Sequence, residues 1–230
     1  MKDFLNNSLY FGTALCIAGY ALGMWIRKRF KLCFLNPLLL SIIFIIAVVQ
    51  IIGIDYESFS DSSKYLSYLL TPATVCLAVP LYQQLNLLKE HLMAVFCAIF
   101  AGVISSMGSV LAMAYLFGLS HEYYVTLLPK SITTAIGMGV SDELGGITTI
   151  TVAVIIVTGV LGNIIGEVVC RLFHIYEPIA VGLALGTSAH AVGTTKAMEL
   201  GEIEGAMSSL SIAVAGLMTV AAASFFAGLL

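Results

Sequence analysis

Ala135-Ile136-Gly137, five residues, then Glu143-Leu144-Gly145-Gly146-Ile147 returns later as Ala191-Val192-Gly193, five residues, then Glu199-Leu200-Gly201-Glu202-Ile203, at a constant offset of 56 residues. Each copy is polar and rich in Gly, Thr and Ser, and each runs into a long apolar stretch. The surrounding chain is hydrocarbon-like. A glycine-broken polar segment placed twice in such a chain points to a substrate site between the internal repeats of a transporter. The offset predicts a repeat over about 127–172 and 183–228.

Composition fixes the solvent. Sixty per cent of the residues are hydrophobic, 10% are charged and the mean hydropathy is +1.02, far from soluble globular values. A span needs roughly 20 apolar residues to cross about 30 Å of hydrocarbon, so 230 residues have room for about six spans in one membrane domain covering 1–230. The expected fold is an all-α polytopic helical bundle with broken helices or re-entrant hairpins and an inverted repeat. A net charge of −3 without a basic patch gives no sign of nucleic acid. Cys16, Cys33, Cys76, Cys97 and Cys170 stand singly, so metal, cofactor and redox chemistry are not expected. No nucleophile–base pair and no HExxH is present, and an enzyme is not expected.

The first apolar stretch, Leu5 to Ile26, is too long for a cleavable signal, and its basic cluster follows rather than precedes it. That cluster, Arg27-Lys28-Arg29-Phe30-Lys31, predicts a cytoplasmic loop and an outer N-terminus. Asn36-Pro37 opens a second span over 38–54, Asp55 to Lys64 reads as an outer loop, and Pro72 with Pro80 predicts a kinked or broken crossing over 65–82. A long span follows at 92–118, with small residues over 102–109 that suit helix packing and a homodimer or larger homo-oligomer. Lipid cannot satisfy the backbone of the two glycine-broken copies, at about 127–146 and 178–205, so hairpins or half-helices are expected there. One span, 147–170, separates them. The first should therefore open outward and the second inward.

Lysines at bilayer depth persist where they line a cavity or meet an anion. Lys130 lies after Pro129 and beside Ser131, Thr133 and Thr134. Lys196 follows Thr194-Thr195, with Thr187, Ser188 and His190 upstream. Lysine, hydroxyls and half-helix N-termini together suit a carboxylate, while snorkelling to the interface is the plainer account of each lysine. His190 either carries a coupling proton or ties backbone segments together. Glu143 and Glu199, at matching repeat positions, either pair with Lys130 and Lys196 or face water. Gly137 and Gly193 read as structural. Glu167 should pair with Arg171 at i+4.

Asn36-Pro37-Leu38-Leu39, Thr71-Pro72-Ala73-Thr74, Leu128-Pro129-Lys130-Ser131, Glu143-Leu144-Gly145-Gly146-Ile147 and Gly182-Leu183-Ala184-Leu185-Gly186-Thr187 with His190-Ala191 resemble the LrgB/CidB family over essentially the whole chain. Ala135, where the family often has Pro, and Lys196, where it often has Arg, depart from its pattern. The resemblance implies a multi-pass protein of the bacterial inner membrane, described as an antiholin-like regulator of murein hydrolases and partnered by a small holin-like LrgA/CidA-type protein. It also implies kinship with a plant plastid glycolate/glycerate translocator. Two functions are thus expected to compete: a carrier of small 2-oxo or 2-hydroxy carboxylates, and a regulator of autolysis acting through a holin-like partner.

Overall fold

The computed structural model describes residues 8–30 and 36–230. Leu5 at the start of the first expected span, Lys31 of the basic cluster and Cys33 lie outside the described residues. Every regular element among the described residues is helical, as the all-α expectation requires. The chain divides into two compact units, Met1–Cys76 and Leu77–Leu230.

In the first unit, α1 (Phe11–Phe30) carries Gly12, Gly19 and Gly23 on its buried side. A side chain at Gly19 would meet Ser41, Phe44 and Ile45 of α2 (Pro37–Ile52), and one at Gly23 would strike the Pro37 carbonyl. These glycines let α2 run close against α1. The cluster Arg27-Lys28-Arg29 forms the last turn of α1 rather than a loop, where the helix dipole favours cations. Asn36 caps α2, accepting from Leu38 N–H at 2.8 Å and Leu39 N–H at 3.2 Å. Asn36→Ala should cost about 1 kcal/mol, read as a lowered midpoint of thermal unfolding in detergent, while Asn36→Asp keeps the cap.

The loop expected at 55–64 is instead a helix, α3 (Tyr56–Ser63). Asp55 caps it, and Ser62 joins it to α1: the Gly12 N–H donates to Ser62 Oγ at 3.0 Å and the Thr13 hydroxyl to the Ser62 carbonyl at 2.8 Å. A 3-10 turn, Lys64–Leu69, leads into α4 (Leu70–Gln83), which runs from one unit into the other. Of the kinked or broken crossing expected at Pro72 and Pro80, the break is absent, since α4 is one helix across both prolines and the 3-10 turn precedes it. Pro72 falls in the first turn, where its missing N–H costs nothing.

The second unit continues with α5 (Leu85–Glu90), α6 (Leu92–Phe117), α7 (His121–Leu127), α8 (Thr134–Glu143), α9 (Thr148–Leu172), α10 (Pro178–Leu200) and α11 (Glu202–Ala227). Among the described residues α6, α9 and α11 are long and apolar enough to cross a membrane, and α2 is a shorter apolar helix. Of the six spans expected, 92–118, 147–170 and 206–230 are these three long helices, while 38–54 and 65–82 hold the shorter α2 and α4. A buried stripe on α6, Val95, Ile99, Val103, Met107, Val110 and Ala114, packs into one core with Met207, Ala215, Ala223 and Phe226 of α11.

Both polar copies reverse direction. In the first, α7 and α8 flank the non-helical stretch 128–133. A side chain at Gly137 would lie 3.5 Å from the Pro129 carbonyl, so the arms run side by side. In the second, α10 breaks at Ala189 (φ −129°, ψ 15°) and His190 (φ 42°, ψ −137°). A side chain at Gly193 would collide with the Leu185 carbonyl. Gly137 with Pro129 and Gly193 with Leu185 are related by the same 56 residues as the sequence copies. An arm such as 178–188 spans roughly 16 Å, about half of a bilayer core.

The first hairpin has its mouth at the start of α9. There the Ile147 N–H donates to Thr126 Oγ1 at 2.8 Å, and Thr151 Oγ1 lies 2.7 Å from Ser141 Oγ and 2.9 Å from the Thr126 carbonyl. The second hairpin approaches from the other end of α9, with Leu185 against Gly166 and Ala189 against Gly162. Its return arm is tied to α11, where Thr194 and Ser208 hydroxyls lie 2.7 Å apart.

Candidate functional site

Lys130 sits in the turn of the first hairpin, where Pro129 ends one arm and Thr133 begins the other as the N-cap of α8. Its ammonium donates to Ser131 Oγ at 3.1 Å and to Ser106 Oγ of α6 at 3.2 Å, and the two serine oxygens are themselves 2.9 Å apart. Among the described residues no carboxylate lies within 4.0 Å of this ammonium. An ammonium has three donors, and the two serines take two of them.

The ammonium borders an open cavity of about 710 Å³ lined by α6, α9, the first hairpin and the entering arm of the second. Ser105, Ser106 and Ser109 come from α6, Lys130 and Ser131 from the first hairpin, Thr158 and Gly162 from α9, and Thr187 with Ser188 from the second hairpin. Both hairpins thus present their turn regions to one space. Thr187 is 7% exposed, and its hydroxyl has no hydrogen-bond partner among the described residues. A buried hydroxyl left in this state costs about 1–3 kcal/mol, so a polar group is wanted next to it. Gly102 makes this approach possible, because a side chain there would strike the Thr187 methyl. The small-residue face of α6 is therefore used within the chain at Gly102 and Ser106. Gly108 meets nothing within 4 Å.

The remaining expected site residues divide among other surroundings. Lys196 does not join Lys130. It lies on the return arm of the second hairpin, 2.7 Å from Glu167 of α9 and 3.8 Å from Glu199. The two lysines, each a candidate for the anion, thus stand in separate surroundings, and the offset accounts for this. Fifty-six residues map Lys130 onto Gly186 and Lys196 onto Val140, so the lysines are not repeat equivalents. Lys196 also lies six residues past the His190 turn, roughly 9 Å down the return arm.

Glu167 makes the expected pair with Arg171 at 2.5 Å, and Lys196 adds a second. Thr195 hangs on the same side, 3.1 Å from Asn163 Nδ2, which also donates to the Val192 carbonyl at 2.7 Å. Thr194 is buried against Ser208, away from the cavity. His190, 4% exposed, donates from Nε2 to the Ile155 carbonyl at 3.0 Å. A carbonyl only accepts, so that nitrogen carries the hydrogen, and the histidine ties two backbone segments together. Glu143 lies exposed at the mouth of the first hairpin, a full helix away from Lys130, and does not pair with it. Thr134 lies in the first turn of α8 and is outside the cavity lining.

Sequence reading missed Ser106, Asn163 and the second partner of Glu167. The run 102–109 signals close packing, and nothing in it distinguishes the serine that meets Lys130 from the others. Among the described residues no cluster of His, Cys, Asp or Glu could hold a metal.

The LrgB-like family model matches residues 16–229. The chain belongs to the LrgB-like family. It is similar to the Holin-like protein CidB of Staphylococcus epidermidis, 38% identical over 92% of each chain. It is similar also to the Uncharacterized protein YxaC of Bacillus subtilis, 35% identical over 89% of each. The Antiholin-like protein LrgB of Bacillus cereus is 34% identical over 94% of this chain and 95% of that one. No solved structure matches. The site of this LrgB-like chain therefore rests on its own geometry: one lysine, a set of hydroxyls and two hairpin turns.

Proposed function

We propose that this chain is a secondary carrier of small carboxylate anions of the 2-oxo or 2-hydroxy type, pyruvate- or glycolate-like, in a bacterial cytoplasmic membrane. The observation that carries the reading is Lys130, an ammonium with hydroxyl neighbours and, among the described residues, no carboxylate within 4.0 Å, facing a cavity beside a Thr187 hydroxyl that has no partner among those residues. A scaffold gains nothing from an uncompensated cation at this depth, whereas an anion offsets its cost. The two hairpins enter from opposite ends of α9 with matched glycine–carbonyl contacts. This supports an inverted repeat over about 127–172 and 183–228 that gives alternating access. The positive-inside rule, applied to Arg171 at the end of α9, supports a cytoplasmic mouth for the second hairpin.

A second reading is favoured by the names of the relatives, Holin-like protein CidB and Antiholin-like protein LrgB. In it the chain regulates murein hydrolase export and autolysis together with a small holin-like membrane protein, and assembles as a homodimer. Uptake of radiolabelled pyruvate and glycolate into liposomes that contain only this chain separates the two. The carrier reading expects saturable uptake that Lys130→Met removes. Absent uptake, with autolysis in cells unchanged by Lys130→Met, would leave the regulator.

A further inference from the structure

Behind the Lys130 turn lies a second, smaller void of about 10 Å³, which shares Ser106, Ser131 and Thr187 with the large cavity. Four of its lining residues carry hydroxyls, and each comes from a different element: Ser106 from α6, Ser131 from the first hairpin, Thr187 from the second hairpin and Thr219 from α11. The rest of the lining is apolar, including Val103, Met107 and Leu128. A void of this size admits one water-sized guest, and a buried water needs two to four polar partners. Three of the four hydroxyl residues, Ser131, Thr187 and Thr219, are less than a tenth exposed. One of them, Thr187, has a hydroxyl with no partner among the described residues.

We propose that Ser106, Ser131, Thr187 and Thr219 form a binding site for a single water molecule, which joins both hairpin turns to α6 and α11 and holds Lys130 toward the cavity. The hydrogen-bond count suits a water. Ser106 and Ser131 bond to one another and accept from the ammonium, which leaves one serine hydroxyl proton to donate to the guest. Thr187 supplies a further donor and acceptor, and Thr219 closes the far side. A monovalent metal cation of similar size does not suit the site. It would share ligands with an ammonium 3.1 Å and 3.2 Å from those same serine oxygens, and like charges that close repel strongly away from bulk water.

Thr219 lines the small void and not the large cavity, so it is a positioning residue whose effect on an anion must pass through the water. The inference about the water stands without the carrier reading. Only its consequence for anion binding rests on it.

The sign of a stability change tests the site. If Thr187 bonds nothing, the nearly isosteric Thr187→Val removes a pure cost and raises the melting temperature of the full chain in detergent. If Thr187 holds a water, the melting temperature falls. Thr219→Val should lower it too, Thr219→Ser should restore it, and the double variant Thr187→Val/Thr219→Val should lose less than the two singles added together, because both act on one guest. Additive losses, or a rise for Thr187→Val, overturn the proposal. A melting temperature raised by NaCl relative to choline chloride, and insensitive in Thr219→Val, assigns the site to Na⁺ and overturns the water. In uptake, Thr219→Val should raise KM about threefold to tenfold with kcat kept, and Thr219→Ser should recover it. An unchanged KM overturns the link to Lys130. No uptake by the unaltered chain, with the stability pattern as expected, leaves the water site standing and removes the carrier reading.

Discussion

Lys130→Met is expected to weaken anion binding by about ten- to a hundredfold while the chain still folds and inserts. A hydrogen bond to a charged group is worth roughly 1.5–3 kcal/mol, and about 1.4 kcal/mol is a factor of ten in affinity. Folding is spared because Lys130 makes no ion pair among the described residues. Its serine partners, at 2.9 Å from each other, keep one another as neighbours. Lys196→Met should behave in the opposite way. It leaves Glu167 with Arg171 alone and removes one tie between the return arm of the second hairpin and α9, the bonds from Asn163 remaining, so stability falls while affinity for the anion stays. Isothermal titration with glycolate and thermal unfolding, measured on both variants, check the contrast. Equal losses of affinity in the two variants would show that Lys196 serves the anion after all.

Gly186→Ala is expected to cost about 1–3 kcal/mol, the range for overpacking a filled interior. A methyl group at this position would collide with the Ser211 hydroxyl and the Ser208 carbonyl of α11, and backbone cannot swing aside as a flexible side chain does. Gly139 lies in α8 and meets nothing within 4 Å. Gly139→Ala should therefore be neutral or should stabilise by about 0.5–1 kcal/mol through helix propensity. Chemical or thermal unfolding of both variants in one detergent gives the comparison. Similar behaviour of the two would mean that α10 and α11 are not packed as closely as described.

Much of the second unit could be read from residue order. The repeated Gly–Glu–Leu–Gly pattern marks both hairpins, and their long partners α9 and α11 follow as uninterrupted apolar runs. The exact turn within each copy was not legible. In the first copy the chain reverses around 128–133, so Lys130 is at the turn; in the second it reverses at Ala189 and His190, and Lys196 is left partway down an arm. Spacing gives the helical face of a residue but not its distance from a reversal. Ser106 was hidden for a related reason. It acts through a partner 25 residues away, and a serine in an apolar helix looks the same whether it packs or binds. In the first unit, Asp55 and the serines after it read as a loop because short polar helices have no apolar period. Their stabilisation comes from capping and from Ser62 reaching α1.

On α9, Gly159, Gly162 and Gly166 receive His190, Ala189 and Leu185 of the second hairpin in turn. Gly162 and Gly166 also border the large cavity. The bore of that cavity is accordingly set by residues that contribute no side chain to it. Each added carbon on this row would push the hairpin outward and change the calibre of the passage without altering a single ligand-facing group. Variation along this glycine track is thus a way to alter the girth of the cavity while Lys130 and its hydroxyl neighbours stay in place.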